Sequence, residues 1–232
     1  MPVNDAAPAA LASIVAAIRE GRGIFDNIRK TLVYLLSGNT AELAVMLVAA
    51  VVGWPFPLLP LHLLWINVVT DGLPALALVV DPPEHDVLQR PPRHPEEPML
   101  GREQWWFIVS TGLLEAAATL SVFVWALHGR SLGEARNLAF SVLVFGELFR
   151  AFAARSTTRL FWEVGPSTNG WLLGVVVVSV LLQLAIHYVP ATQATFEIGP
   201  LPAADFALTL LVAMTPVTAI ELAKLWRRRA WA

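Results

Sequence analysis

The stretch LLWINVVTDGLPALALVV, residues 63–80, decides the fold, because it is apolar enough to cross a membrane yet has polar groups at its centre. A helix that crosses the hydrocarbon needs roughly 20 mainly apolar residues. Pro74 lacks the N–H group that would bond the carbonyl of Thr70, and Gly72 loosens the same turn. Irregular backbone at membrane depth is tolerated only inside protein or beside a cavity. We therefore predict a loosened transmembrane helix within a bundle.

The rest of the chain has the composition of a membrane protein. Of its 232 residues, 56% are hydrophobic and 15% are charged, whereas a soluble domain has about 25% charged residues. We expect an all-α, polytopic membrane protein whose partner is the lipid bilayer. Six transmembrane helices are predicted, at about residues 31–51, 61–80, 105–127, 138–154, 171–189 and 206–225.

Two further segments and two exclusions complete this outline. Residues 1–12 are small and Pro-containing, and we expect a disordered leader there. Residues 13–232 are predicted to form one membrane domain, in which the amphipathic segment 13–30 extends the first span into water. The net charge of −2 argues against nucleic acid as a partner. The absence of cysteine excludes disulfides and thiolate metal sites.

The positive charges predict the orientation. Sorted by the six spans, fourteen of the sixteen lysines and arginines fall on one side, and only Arg130 and Arg136 fall on the other. Because lysine and arginine are retained on the cytoplasmic side, both termini are predicted to be cytoplasmic.

Ionisable residues at membrane depth are rare, and they usually have a partner or a function. Four acidic residues fall inside predicted spans: Glu42, Asp71, Glu115 and Glu147.

The spacing of the polar residues brings several of them onto common helix faces. Asn39 and Glu42 are three residues apart, and Asn67, Thr70 and Asp71 stand at i, i+3 and i+4. With Glu147, these side chains all offer oxygen, which is the ligand preferred by a hard cation such as Ca²⁺. Discontinuous helices with carboxylates near the midplane are how transporters build ion sites. The residues therefore predict a cation site.

Structural roles for the same residues stay open. Any one of Asn39, Asn67 and Thr70 is explained as well by a hydrogen bond between helices. For Glu115, which stands among alanines, we favour such a bond. Arg150 is three residues after Glu147 and is a possible ion-pair partner for it.

Four stretches resemble calcium-transporting P-type ATPases of type II. EGRGIFDNIRKTLVYLLSGNTAE (20–42) is similar to their stalk and fifth transmembrane helix. LLWINVVTDGLPALAL (63–78) resembles the sixth helix of sarcoplasmic-reticulum-type pumps, and DPPEHDVLQRPPR (81–93) resembles the loop after it. SVLVFGELFRAF (141–152) looks like the eighth helix. The resemblance runs from about Ser13 to the C-terminus.

The resemblance implies a set of metal ligands and an ion. It carries the role of calcium ligand onto six residues: Asn39, Glu42, Asn67, Thr70, Asp71 and Glu147. It implies that Asp71 is shared by two ions, in a two-site pattern favoured by Glu42 and Thr70. It also implies that protons are exchanged for calcium at the carboxylates.

The same family hydrolyses ATP with motifs that this sequence does not contain, namely DKTGT, TGES and a nucleotide-binding domain. We therefore expect no catalytic residues and no ATPase activity from this chain alone. ATP and Mg²⁺ would act only through a catalytic half, which could be a separately encoded N-terminal partner. The predicted function is the cation-binding half of a Ca²⁺ pump in a bacterial-type plasma membrane. The alternative is a non-catalytic module or truncated remnant that binds a partner and does not transport.

Overall fold

A computed structural model of the chain describes residues 6–84, 86–94 and 96–230, and its regular elements in these ranges are all helical. The α-helices are α1 (Ala6–Val52), α2 (Pro60–Trp65), α3 (Leu73–Val79), α4 (Arg102–Leu127), α5 (Leu132–Ala153), α6 (Phe161–Val164), α7 (Gly170–Tyr188), α8 (Pro190–Phe196) and α9 (Ala203–Ala230). A π-helix (Ile66–Gly72) joins α2 to α3, and a 3₁₀ turn (Pro166–Thr168) precedes α7. The all-α prediction is confirmed.

The first helix begins earlier than predicted. α1 starts at Ala6, so residues 6–12 are helical where we expected disorder, and residues 1–5 of the expected leader lie outside the described residues. Alanine is the strongest helix former, and this segment is rich in it. Pro8 falls within the first turn, where its missing N–H costs no helical hydrogen bond.

The loosening expected around Asp71 takes the form of the π-helix. The span keeps helical backbone angles on both sides, at Trp65 and at Leu73. A π-helix is rare and is found mostly as a single turn at functional sites. Here it ends at Gly72, two residues before Pro74, whose missing N–H interrupts the regular α-helical bonding.

Among the described residues, five helical segments are long and apolar enough to cross a membrane: Ala10–Val52, Pro60–Val79, Arg102–Leu127, Gly170–Tyr188 and Ala203–Arg229. The chain is therefore an integral, multi-pass membrane protein. α5 falls outside this group because Glu134, Arg136, Glu147 and Arg150 are concentrated in it. The count of six spans, with α5 as the fourth, stays a prediction.

α5 lies at the centre of the bundle, since nearly all of its side chains are buried between α4, α9 and the π-helix span. Its start is set by a capping box, in which Ser131 Oγ accepts from Glu134 N and Glu134 Oε2 accepts from Ser131 N at 2.9 Å. α4 in turn packs closely on α1: a Cβ at Gly112 would lie 2.7 Å from Cβ of Thr40. Only glycine permits this approach.

The segments predicted to be cytoplasmic meet at one end of the bundle. Arg90, in the loop after α3, pairs with Asp26 of α1 at 2.8 Å. At the same end, Arg155 pairs with Asp81 at 2.9 Å and Arg228 pairs with Glu163 at 2.6 Å. The sequence pattern thus groups these segments correctly; the side of the membrane on which they lie stays a prediction.

Candidate metal centre

Three carboxylates from three elements converge inside the bundle. Glu42 comes from α1, Asp71 from the π-helix and Glu147 from α5, and one oxygen of each lies within 4.8 Å of the others. Their exposed fractions are 8%, 1% and 0%, so the group is shielded from the surroundings. We call Glu42, Asp71 and Glu147 the acidic cluster.

The hydrogen bonds of the acidic cluster engage two of its six carboxylate oxygens and leave the other four without a partner. Asn67 Nδ2 donates to Glu42 Oε2 at 3.0 Å, and Thr70 Oγ1 donates to Glu147 Oε2 at 2.7 Å. Four buried oxygens have no hydrogen-bond partner: Glu42 Oε1, Asp71 Oδ1, Asp71 Oδ2 and Glu147 Oε1. A buried acceptor without a partner loses its solvation and gains nothing in return. A hard cation would supply the missing interactions of these four oxygens.

The structure brings together five of the six residues to which the ligand role was assigned. Glu42, Asn67, Thr70, Asp71 and Glu147 are joined by the contacts given above. Asn39 is exposed on α1, and none of the hydrogen bonds described for this chain joins it to the acidic cluster. Its ligand role remains a prediction with less support than the others.

Two residues that the sequence reasoning missed support the π-helix. The Tyr34 hydroxyl of α1 donates to the carbonyl of Thr70 at 2.6 Å, the carbonyl that Pro74 cannot bond. Ser179 of α7 donates to the carbonyl of Val69 at 3.2 Å. A signal for the second residue exists, because Ser179, Gln183 and His187 repeat every four residues along an otherwise apolar helix. Both side chains fix the backbone next to Asp71.

Arg150 and Glu115 form a second charged group beside the acidic cluster. Arg150 Nε lies 3.4 Å from Glu115 Oε2, whereas its NH2 lies 4.0 Å from Glu147 Oε1. The expectation of an interhelical hydrogen bond for Glu115 is therefore wrong, since its partner is the Arg150 guanidinium and neither carboxylate oxygen is hydrogen-bonded. The pairing of Arg150 with Glu147 is the longer of the two contacts. α4 approaches α5 closely enough for this ion pair.

The chemistry available here is ion binding. The centre offers carboxylate, amide and hydroxyl oxygens and a net negative charge, which is the donor set of hard cations. Ca²⁺ takes six to eight oxygens in flexible geometry, whereas Mg²⁺ needs a near-ideal octahedron. Carboxylates that approach from three separate elements favour the more tolerant ion.

Comparison with known proteins identifies the family of the chain. The family described as "Cation transporting ATPase, C-terminus" matches residues 55–226. The chain is 40% identical over 220 residues to a calcium-transporting ATPase of Bacillus subtilis (strain 168), which covers 94% of this chain and 25% of that protein. It is 35% identical over 219 residues to calcium-transporting ATPase type 2C member 2 of Mus musculus, covering 93% of this chain and 23% of that protein.

A third relative has a less specific name. The "probable cation-transporting ATPase F" of Mycobacterium tuberculosis (strain ATCC 25618 / H37Rv) is 38% identical over 194 residues, which is 82% of this chain and 21% of that protein. The chain thus spans about a quarter of the length of the curated relatives it matches. The family match covers most of the chain, and the chain therefore belongs to the cation-transporting ATPases, as the C-terminal transmembrane region of a calcium-type P-type ATPase.

Proposed function

We propose that the acidic cluster binds Ca²⁺ as the transported ion, between α1, the π-helix and α5. The observation that carries this proposal is the set of four buried carboxylate oxygens without a hydrogen-bond partner. Buried carboxylate oxygens without a hydrogen-bond partner are costly at membrane depth. Arg150 NH2, at 4.0 Å from Glu147 Oε1, is too distant to form a hydrogen bond with that oxygen, so the four oxygens are suited to a bound cation. The names of the relatives favour calcium over other cations.

The proposed ligands differ in what their side chains contribute. Glu42, Asp71 and Glu147 would supply negative charge, and Thr70 would hold Glu147 in position through its hydroxyl. Asn67 donates an amide N–H to Glu42, so its amide oxygen is free to coordinate a cation. Asn39 would need to turn toward the cluster to contribute.

The rest of the transport cycle belongs to the same proposal. Ca²⁺ would cross the membrane in exchange for protons, which bind the same carboxylates, when this chain is joined to a part that hydrolyses ATP with Mg²⁺. Both termini and the loop 81–101 would be cytoplasmic in a bacterial-type plasma membrane. The contacts at one end of the bundle support a common side for these segments.

The test measures equilibrium binding of radiolabelled calcium to the 232-residue chain in lipid nanodiscs. The unchanged chain should bind calcium, and Glu42→Gln, Asp71→Asn and Glu147→Gln should each lower the affinity at least about tenfold, because each removes one charge from the ion's ligands. Glu103→Gln is the matched control, since the Glu103 side chain is 67% exposed at the edge of α4. Unchanged affinity in all three cluster variants would reject the assigned ligands. A chain that binds no calcium would favour the non-transporting module.

A further inference from the structure

Arg150 occupies an unusual position for a charged side chain. It is 2% exposed and is among the largest fully buried side chains of the described residues. Its Cζ lies 5.2 Å from the ring centroid of Tyr34, and none of its three guanidinium nitrogens makes a well-formed hydrogen bond. A guanidinium stays charged under all ordinary conditions. The bundle therefore contains a permanent positive charge next to its acidic cluster.

Gly38 of α1 makes room for this charge beside the cluster. A Cβ at Gly38 would lie 3.0 Å from each of three atoms, Arg150 NH2, Asp71 Oδ1 and Glu147 Oε1. The guanidinium and two of the partnerless carboxylate oxygens thus converge on one point of the α1 backbone. A cation shared by Asp71 and Glu147 at this point would meet the Arg150 nitrogen.

Glu115 holds the guanidinium from the opposite helix. Its carboxylate is 1% exposed and is the nearer of the two acidic partners of Arg150. Gly146 of α5 permits this contact, because a Cβ there would lie 2.6 Å from Glu115 Oε1. Glu115 is not a member of the acidic cluster. Its charge is directed to Arg150 and not to the ion.

We propose that Glu115 positions Arg150 as a built-in cation that fills the place of a second metal ion, so that the acidic cluster holds one Ca²⁺ and not two. The inference rests on the proposed function and refines its stoichiometry. It departs from the two-site pattern that the sequence resemblance implies. The charges agree with it, since one Ca²⁺ and the guanidinium together balance the three negative charges of the cluster carboxylates, and both would repel a second divalent ion. Glu115 acts through Arg150 and is a positioning residue.

The first test counts bound calcium ions per chain in nanodiscs at saturation. The unchanged chain and Arg150→Lys, which keeps the charge, should bind one ion. Arg150→Met should bind two, because it removes the guanidinium charge and leaves Glu115, Asp71 and Glu147 without that cation. The double variant Arg150→Met with Glu115→Gln should return to one, since the carboxylate needed by the second ion is gone.

The outcomes separate this inference from the proposed function. Two ions in the unchanged chain, or a single ion in Arg150→Met, would overturn the inference while leaving the calcium site intact. No ion in the unchanged chain would reject the proposed function. In that case the role of Glu115 is still decided by a second measurement that needs no calcium.

The second test is thermal unfolding in nanodiscs with a calcium chelator present. Glu115→Gln and Arg150→Met should each lower the unfolding temperature, and the double variant should lower it by less than the sum of the two shifts, because contacting residues are not additive. Glu115→Gln combined with Arg155→Met is the matched control, whose shifts should add. If Arg150→Met does not fold, Glu115→Asp and Arg150→Lys form a milder cycle. Additive shifts for Glu115 and Arg150 would overturn the positioning role.

Discussion

Two buried aspartates ten residues apart, Asp71 and Asp81, are treated in opposite ways by the fold. Their exposed fractions are 1% and 4%. Asp81 Oδ1 accepts from Arg155 Nε at 2.9 Å and from Asn169 Nδ2 at 2.8 Å. Both oxygens of Asp71 lack a hydrogen-bond partner.

The difference distinguishes a residue that stabilises the bundle from one that we propose to bind the transported ion. Asp81 ties the end of α3 to the segment after α5 and to the start of α7, and its charge is balanced within the protein. Asp71 lies among other carboxylates. The hydroxyl groups of Tyr34 and Ser179 donate to backbone carbonyls beside Asp71 and not to its carboxylate oxygens. A buried charge is retained in a protein when it is paired or binds a metal. Asp81 fits the first case, and we propose the second for Asp71.

The largest expected effect comes from Asp71→Asn. Calcium affinity should fall by about 100-fold or more, because even the outer partners of metal ligands contribute 10–100-fold. The unfolding temperature in chelator should stay the same or rise, since a charge without a partner is removed. Calcium titration and thermal unfolding of the same nanodisc sample give both values. A large loss of stability with unchanged affinity would reverse the distinction between the two aspartates.

Asp81→Asn should show the opposite pattern. Breaking a buried ion pair by removing one partner costs about 3–5 kcal/mol, because Arg155, which is 3% exposed, is left without its counter-charge. Chemical denaturation monitored by tryptophan fluorescence measures this loss of stability. Asp86→Asn is the control from the same loop, since the Asp86 side chain is 55% exposed and its pairing with Arg90 is worth at most about 1 kcal/mol. Equal losses in the two variants would contradict the structural role of Asp81.

Gly38→Ala tests whether calcium binding depends on the close approach of the α1 backbone to the acidic cluster. The added methyl group would stand 3.0 Å from Arg150, Asp71 and Glu147, so we expect calcium affinity to fall by roughly tenfold, the equivalent of about 1.4 kcal/mol. Gly21→Ala is the matched control on the same helix, because no atom lies within 4 Å of a Cβ at Gly21. The control should stabilise α1 slightly through its better helix propensity. Affinity unchanged by Gly38→Ala would show that the ion does not depend on this side of the cluster.

The smallest effect concerns a solvent-exposed pair far from the cluster. The Arg228 side chain, together with the backbone N–H of Leu160, lowers the pKa of Glu163 from its ordinary 4.5 to about 2. A carboxylate whose pKa is lower in the folded state stabilises above pH 4.5, and this contribution disappears as the pH falls through about 2. Glu163→Gln should therefore lower the unfolding temperature slightly at pH 7, with a difference that shrinks below pH 4.5. If the difference in unfolding temperature between Glu163→Gln and the unchanged chain grows as the pH falls, this prediction is wrong.

Much of this architecture follows from local sequence. The spans at 61–80, 105–127 and 171–189 are mainly apolar stretches bounded by charge or proline, and the ends of each lie within three residues of those of a helical segment. The loosened backbone near Asp71 follows from Gly72 and Pro74 alone. The meeting of Glu42 with Asp71 and Glu147 was expected from oxygen chemistry and resemblance, and the geometry brings the three together.

The remaining features depend on packing that sequence does not express. Composition alone does not predict the helix over residues 6–12, because proline usually breaks a helix, although the first turn tolerates it. The Arg150–Glu115 pair depends on how α4 and α5 face each other, which no spacing within one helix reveals. No sequence pattern indicates that the Tyr34 hydroxyl meets the carbonyl of Thr70, which lies on another helix.

The length of α1 has a mechanical consequence. Its 47 residues make a rod about 70 Å long at 1.5 Å per residue, more than twice the ~30 Å thickness of the hydrocarbon. Because the rod is unbroken, a force on its outer end is transmitted to Tyr34 and Glu42 without being absorbed by a hinge. With the pivot near Lys30, a tilt of about 5° would shift the backbone at Glu42 by roughly 1.5 Å over an arm of about 18 Å. Such a shift would move the Glu42 oxygens relative to those of Asp71 and Glu147, which lie on other elements. A movement at the outer end of α1 would therefore change the geometry of the proposed ion site.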